Sequence, residues 1–129
     1  MKFISIGENH LYNKVYANGI KASADSISVC VLRDRHANYL KKQNPKKEFV
    51  NRIGISASKK VGGAVKRNRA KRVIREAYRQ IEKEFDIKTG YLIVFVARYP
   101  STVLKMQDVK RDMQVCLEKI NMIGESKDD

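Results

Sequence analysis

Between Ser58 and Arg79 the chain carries nine of its 27 basic residues within 22 positions: Lys59, Lys60, Lys66, Arg67, Arg69, Lys71, Arg72, Arg75 and Arg79, with Glu76 as the single acid. Ammonium and guanidinium groups at that density suit one chemistry above others, the neutralisation of closely spaced phosphates. Asn68, Arg72, Arg75 and Arg79 follow one another at spacings of four, three and four, which puts them on one side of an α-helix. Solvent-facing helix sides ordinarily mix the two signs of charge. Here they do not mix, and like charges at i, i+4 cost helix stability, while cations in a first turn oppose the helix dipole. A polyanionic partner relieves both costs, so the pattern predicts phosphate binding rather than a merely solvated face.

Bond cleavage by the polypeptide itself is not suggested. Hydrolysing a phosphodiester with protein groups takes clustered carboxylates or histidines. The two histidines, His10 and His36, fall in separate segments and read as surface residues, and the basic stretch offers only Glu76. No catalytic residue and no metal-ligand set is assigned.

The basic residues need a rigid carrier. Ala70, Val73, Ile74, Ala77, Ile81 and Phe85 recur at helical period and predict an amphipathic helix beginning near Ala64. Val61 and Val65 miss that stripe, so Lys59 to Gly63 is expected to be a turn, permitted by Gly62-Gly63 and capped by Ser58. Ahead of it, residues 49 to 57 alternate, with Val50, Arg52 and Gly54 on one side and Asn51, Ile53, Ile55 and Ala57 on the other, as a strand does. Residues 26 to 33 read as another strand. Asp86 to Gly90 reads as a turn, and the unbroken run Tyr91 to Ala97 as a central strand buried on both faces. Leu11, Tyr12, Val15 and Tyr16 share one side of a short first helix stopped at Gly19, and Met106, Val109, Met113, Cys116, Leu117 and Ile120 mark a last helix. Asp34 to Lys47 has neither period and is expected to be a mobile loop; the acidic tail from Gly124 is expected to fray.

A length of 129 residues fits one domain, 1–129, with a single core. The net charge of +13 points to nucleic acid, and it is local: residues 51 to 80 hold ten basic groups and one acid, whereas 81 to 129 hold eight and nine. An anionic membrane would need the apolar helix face that the core already uses. The longest apolar run, Tyr91 to Ala97, is too short to span a bilayer, no targeting pattern opens the chain, and a cytoplasmic protein is expected. Cys30 and Cys116 sit in apolar patterns without metal-ligand spacing and are expected to be free thiols.

The run from Arg52 to Tyr78, with its Arg67-Asn68-Arg69 centre, closely resembles the signature of the bacterial ribonuclease P protein subunit, and the likeness extends to Tyr12 through Gly19 and to Ala97 through Pro100. The resemblance implies an α+β fold of αβββαβα type, a small central sheet with helices packed on it. It also implies that the strand at 49–57, the basic helix and the strand at 91–97 form a βαβ unit with a left-handed crossover; chain physics alone favours the right hand. It implies that the protein joins a catalytic ribonuclease P RNA and helps it remove the 5′ leader of precursor tRNA. RNA phosphates can hold Mg2+ without a protein ligand, so the metal is expected mainly on the RNA, and no membrane or protein partner is evident from the sequence. With the charge pattern, it makes Arg52, Lys59, Lys60, Lys66, Arg67, Asn68, Arg69, Lys71, Arg72, Arg75 and Arg79 the candidate RNA contacts. Tyr12, Tyr16 and Cys30 match the lining of the family's leader cleft, with Arg67 and Asn68 at its edge. Gly63 stands where the family usually has Asn, Cys30 where an aromatic is often found, and only Lys2 precedes Lys14 where a basic run is common. A general RNA-binding protein, such as a ribosome-associated one, would share the charge without needing the cleft. A sequence-reading DNA binder would need a helix-turn-helix or a zipper, and the chain shows neither.

Overall fold

A computed structural model describes residues 3–7, 9–35 and 51–126. In chain order the elements are β1 (Phe3–Ser5), α1 (Asn9–Asn18), β2 (Ile20–Ser23), β3 (Ile27–Arg33), β4 (Asn51–Ser56), α2 (Ala64–Glu84), β5 (Phe85–Ile87), β6 (Tyr91–Ala97), α3 (Met106–Lys119) and β7 (Ile123–Ser126). Single 3-10 turns at Lys59–Val61 and Tyr99–Thr102 precede α2 and follow β6. The architecture is α+β, as expected.

The apolar run of β6 dictates the rest. A strand without a polar side must be covered twice, and β6 is the third of five strands in the order β1-β4-β6-β3-β2. It runs parallel to β4, with Ile53 opposite Ile93, and antiparallel to β3, with Val29 opposite Phe95. Alternation then sends Ile93, Phe95 and Ala97 to one face and Leu92 and Val94 to the other.

The first face carries the larger core. There α2 buries Ala70, Ile74, Ala77, Tyr78 and Ile81, and α3 buries Val109, Met113, Cys116 and Leu117, against Ile27, Val29, Ile53 and Phe95. The predicted stripe of α2 is observed, with Val73 and Phe85 half-buried at its margins. Tyr78, at the edge of that stripe though absent from the sequence reading, is also buried, its ring centroid 5.4 Å from that of Phe95. Asn51 donates weakly to the Tyr78 hydroxyl at 3.4 Å, donates to Lys88 O at 2.9 Å and accepts the Tyr91 amide, so its buried amide ties the starts of β4 and β6 together. On the opposite face, among the described residues, α1 is the helix that packs, through Leu11 and Val15 onto Cys30, Leu92 and Val94.

Several short elements differ from the sequence reading. β1 and β2 are edge strands of three and four residues, too short for a periodic signal; β1 is recruited by parallel pairing with β4, β2 by antiparallel pairing with β3. The expected turn at Asp86 begins instead as part of β5, which pairs with β7, so residues 124–126 of the expected frayed tail lie in a strand. Buried Ile123 and the bond from Lys88 N to Met122 O hold that segment in place. Of the expected mobile loop, 36–47 lies outside the described residues, whereas Asp34 is only 1% exposed and firmly bonded.

Candidate nucleic-acid interface

The start of α2 is shaped by what its sequence lacks. Val61 is buried and anchors the 3-10 turn, and Gly62 then takes φ 145°, a left-handed conformation that favours glycine. Gly63 occupies the N-cap position in extended conformation and, having no side chain, makes no capping hydrogen bond. Ser58 precedes the 3-10 turn but its hydroxyl does not cap it; the turn closes instead through Val61 N to Ser58 O, a correction to the expected role. The first turn of α2 holds no acid to offset its positive dipole end.

The basic residues divide by direction. Asn68, Arg72 and Arg75 are exposed on the cationic side that the spacing predicts, while Lys66 is exposed on a different flank of α2 and Lys59 and Lys60 on the 3-10 turn before it. Arg79 extends the cationic side, with its guanidinium 3.5 Å from Glu76, a partly exposed pair of small energetic weight. Arg67 is half-buried, and its Nε is buried with no hydrogen-bond partner. Arg69 turns inward, donating from Nη1 to Ser101 O at 3.2 Å and from Nη2 to Leu104 O at 3.1 Å. Arg52 does not join this surface. It projects from β4 on the α1 side of the sheet and grips Asp34 with two bonds, Nε to Oδ2 at 2.6 Å and Nη2 to Oδ1 at 2.8 Å. Sequence shows a cation but not the internal acceptor that engages it.

The second part of the interface lies beside α1. The Tyr12 ring lies against β4 where Gly54 has no side chain; a Cβ there would stand 2.6 Å from the Tyr12 hydroxyl. Tyr16 follows at 6.5 Å between ring centroids, and buried Cys30 lies in the same apolar cluster, so the structure brings Tyr12, Tyr16 and Cys30 together. Burial pushes the Tyr12 hydroxyl up, helped by Tyr16, against a hydrogen bond to the Ile55 backbone that lowers it. Burial likewise pushes up the thiols of Cys30 and Cys116, both free. A cavity of about 400 Å3 opens next to Tyr12, bounded by Ile6, Gly7, Asn9 and Ile55 to Ala57. The cation in its wall is Lys71; of the residues expected for the leader cleft, Tyr12 lines this cavity, and Tyr16, Cys30, Arg67 and Asn68 do not. Gly54 is a residue that charge and motif reasoning passed over; its signal is a lone glycine inside an otherwise apolar strand.

Several of the described carboxylates are engaged: Asp34 with Arg52, Glu76 with Arg79, Glu84 with Lys110, and Asp112 with the Ser26 amide and hydroxyl. Among the described residues no group of three or more His, Cys, Asp or Glu is placed to hold a metal ion. His10 is exposed on α1; His36 lies outside the described residues. None of the described helices is long and apolar enough to cross a membrane.

Fold and surface together define a basic α+β protein with a cationic helix and an aromatic cleft, an arrangement suited to a polyanion with unpaired bases. The family profile "Ribonuclease P" matches residues 2–121, and the chain belongs to that family. It is 34% identical over 119 residues to a ribonuclease P protein component of Clostridium botulinum, covering 92% of this chain and 96% of that protein. A Thermoanaerobacter ribonuclease P protein component is 32% identical over 118 residues, covering 92% and 90%. The RNase P protein of Staphylococcus aureus shares the fold with a TM-score of 0.72 at 22% identity, over 93% of this chain and 97% of that one; the Thermotoga maritima RNase P protein does so at 0.62 and 19%, over 81% and 86%.

Proposed function

We propose that the chain is the protein component of ribonuclease P, binding the catalytic RNA and the 5′ leader of precursor tRNA to promote endonucleolytic removal of the leader. The observation that carries this reading is the double use of α2, whose outer side presents Asn68, Arg72 and Arg75 to solvent while Lys71 stands in the wall of the cavity beside Tyr12. One helix therefore serves a large RNA on one side and a single strand on the other. The cations neutralise crowded phosphates and favour the compact RNA, and the Tyr12 and Tyr16 rings offer stacking surface to unpaired leader bases. Cleavage chemistry belongs to the RNA in this reading, with Mg2+ held by its phosphates, because the protein offers cations and paired carboxylates where metal ligands would be needed. The protein's place is the cytoplasm, where precursor tRNA is processed.

The test is cleavage of a 5′-leader precursor tRNA at low magnesium by a bacterial ribonuclease P RNA, with and without the protein. Stimulation is expected, and it should disappear in the double variant Arg67→Ala/Arg72→Ala, whose log–log salt dependence of RNA binding should flatten by about 0.7 to 0.9 per lost phosphate contact. Tyr16→Ala should weaken binding of leader-bearing substrate and leave leaderless tRNA unaffected. Tight RNA binding without stimulation would favour the general RNA-binding alternative.

A further inference from the structure

Three of the five large apolar side chains exposed among the described residues lie around the start of α2 and the turn after β6: Val65 at 83%, Tyr99 at 55% and Val103 at 61%. Neither core nor cleft uses them. The turn that carries Tyr99 is held from beneath. Ser101 and Thr102 are buried, and their hydroxyls bond back to Arg98 O at 2.7 Å and Tyr99 O at 2.8 Å. Pro100 lies in its first turn, Leu104 N reaches Pro100 O at 2.9 Å, and Arg98 donates to Ala24 O at 3.0 Å. The Arg69 guanidinium clamps Ser101 O and Leu104 O onto α2. A tyrosine so rigidly mounted, yet more than half open, loses little side-chain freedom when another ring settles on it.

Its surroundings select the class of ring. Lys66 Nζ lies 5.8 Å from the Tyr99 ring centroid, the first turn of α2 has no acid, and the 3-10 turn bearing exposed Lys59 and Lys60 packs against the Tyr99 turn. An aromatic surface ringed by cations is complementary to a base attached to phosphates. Three side chains split between the first turn of α2 and a short 3-10 turn give too little apolar area for insertion into a bilayer, which wants a continuous amphipathic face. We propose that Tyr99, with Lys66, forms a second stacking site for one unpaired RNA nucleotide, on the flank of α2 opposite Lys71 and hence separate from the Tyr12/Tyr16 cleft. Arg69 is then a positioning residue that fixes the platform rather than a phosphate ligand. This inference rests on the RNA-binding reading of the preceding section.

The experiment measures binding of the full-length protein to a single-stranded RNA oligonucleotide carrying 2-aminopurine and to an RNA duplex of equal phosphate number, as salt is varied. Tyr99→Ala and Tyr99→Leu should each weaken single-strand binding about 5- to 100-fold and abolish part of the fluorescence quenching, with an unchanged salt slope and unchanged duplex binding. Tyr99→Phe should behave as wild type. Unchanged single-strand affinity in Tyr99→Ala, with Arg72→Ala still losing affinity for both RNAs, would overturn the stacking site and leave the RNA-binding reading standing; if Arg72→Ala also has no effect, that reading falls too. Tyr99-dependent binding to phosphatidylglycerol vesicles, without Tyr99-dependent RNA binding, would equally overturn the proposal. Two further arms locate the nucleotide: a loss with the catalytic RNA alone places it there, and a loss only when precursor tRNA is added to the assembled holoenzyme places it in the substrate.

Discussion

Among the described residues, the two faces of the five-stranded sheet are covered unequally. Under α2 and α3 lies a closed core that includes Tyr78, Phe95, Met113 and Leu117, each almost fully buried. Under α1 lies a thin cluster whose aromatic residues, Tyr12 and Tyr16, remain half-open, Tyr12 beside a cavity. The lesson is a division of labour: the side that is finished makes the molecule rigid, and the side left unfinished is where a ligand can complete the packing.

If that division holds, Phe95→Ala should cost about 3 to 5 kcal/mol in chemical denaturation, whereas Tyr16→Ala, a truncation in the thin layer, should cost well under half as much. Comparable losses would dissolve the distinction. One ion pair cuts across the contrast. Asp34, on the thin side, is 1% exposed and receives both bonds from Arg52, itself 21% exposed, so Asp34→Asn should cost about 3 kcal/mol by leaving a guanidinium poorly paired. A loss below 1 kcal/mol would show that solvent reaches Arg52 easily.

The third test concerns the closed side at high pH. The Tyr78 hydroxyl is pushed up to about 12, first by burial, with Glu82 adding to it and Asn51 opposing it. The unfolded chain, whose tyrosine ionises near the ordinary value of 10, therefore loses its proton first. Stability from this group is intact below pH 10 and falls by about 2 to 3 kcal/mol as pH rises to 12. Denaturant titrations should show this decline steeply in the wild type and less in Tyr78→Phe; equal slopes would mean that the ring is wetter than its burial indicates. The smallest effect is expected at the interface. Gly63 has open space around it at the N-cap, so Gly63→Asn should raise the melting temperature slightly, by a few tenths of a kcal/mol in stability. A loss there would indicate strain in the turn.

Residues with a periodic pattern were legible before any coordinates. The stripe of α2, the alternation through Arg52, Ile53, Gly54 and Ile55, and the doubly buried β6 all follow from where an apolar side chain must go. β1, β2, β5 and β7 were not legible, because three or four residues carry no period and their pairing is decided by distant partners such as Asn51 and Val31. The candidate site divides the same way. Local sequence reveals that Arg52, Arg69 and Arg72 are cations, yet only the fold reveals that Asp34 engages the first, the Ser101 and Leu104 carbonyls the second, and that the third faces solvent. Charge alone likewise does not show that Lys71, rather than its basic neighbours on α2, stands in the wall of the cavity beside Tyr12.

The two thiols sit in different layers, Cys30 beneath α1 and Cys116 within the core shared by α2 and α3. Each becomes reactive only when its own cover lifts. A thiol-modifying reagent applied to the native protein therefore times two events independently: detachment of one short helix, read at Cys30, and collapse of the whole body, read at Cys116. Without any introduced label, the chain carries separate clocks for local opening and for global unfolding, and RNA that fills the cleft should slow the first clock far more than the second.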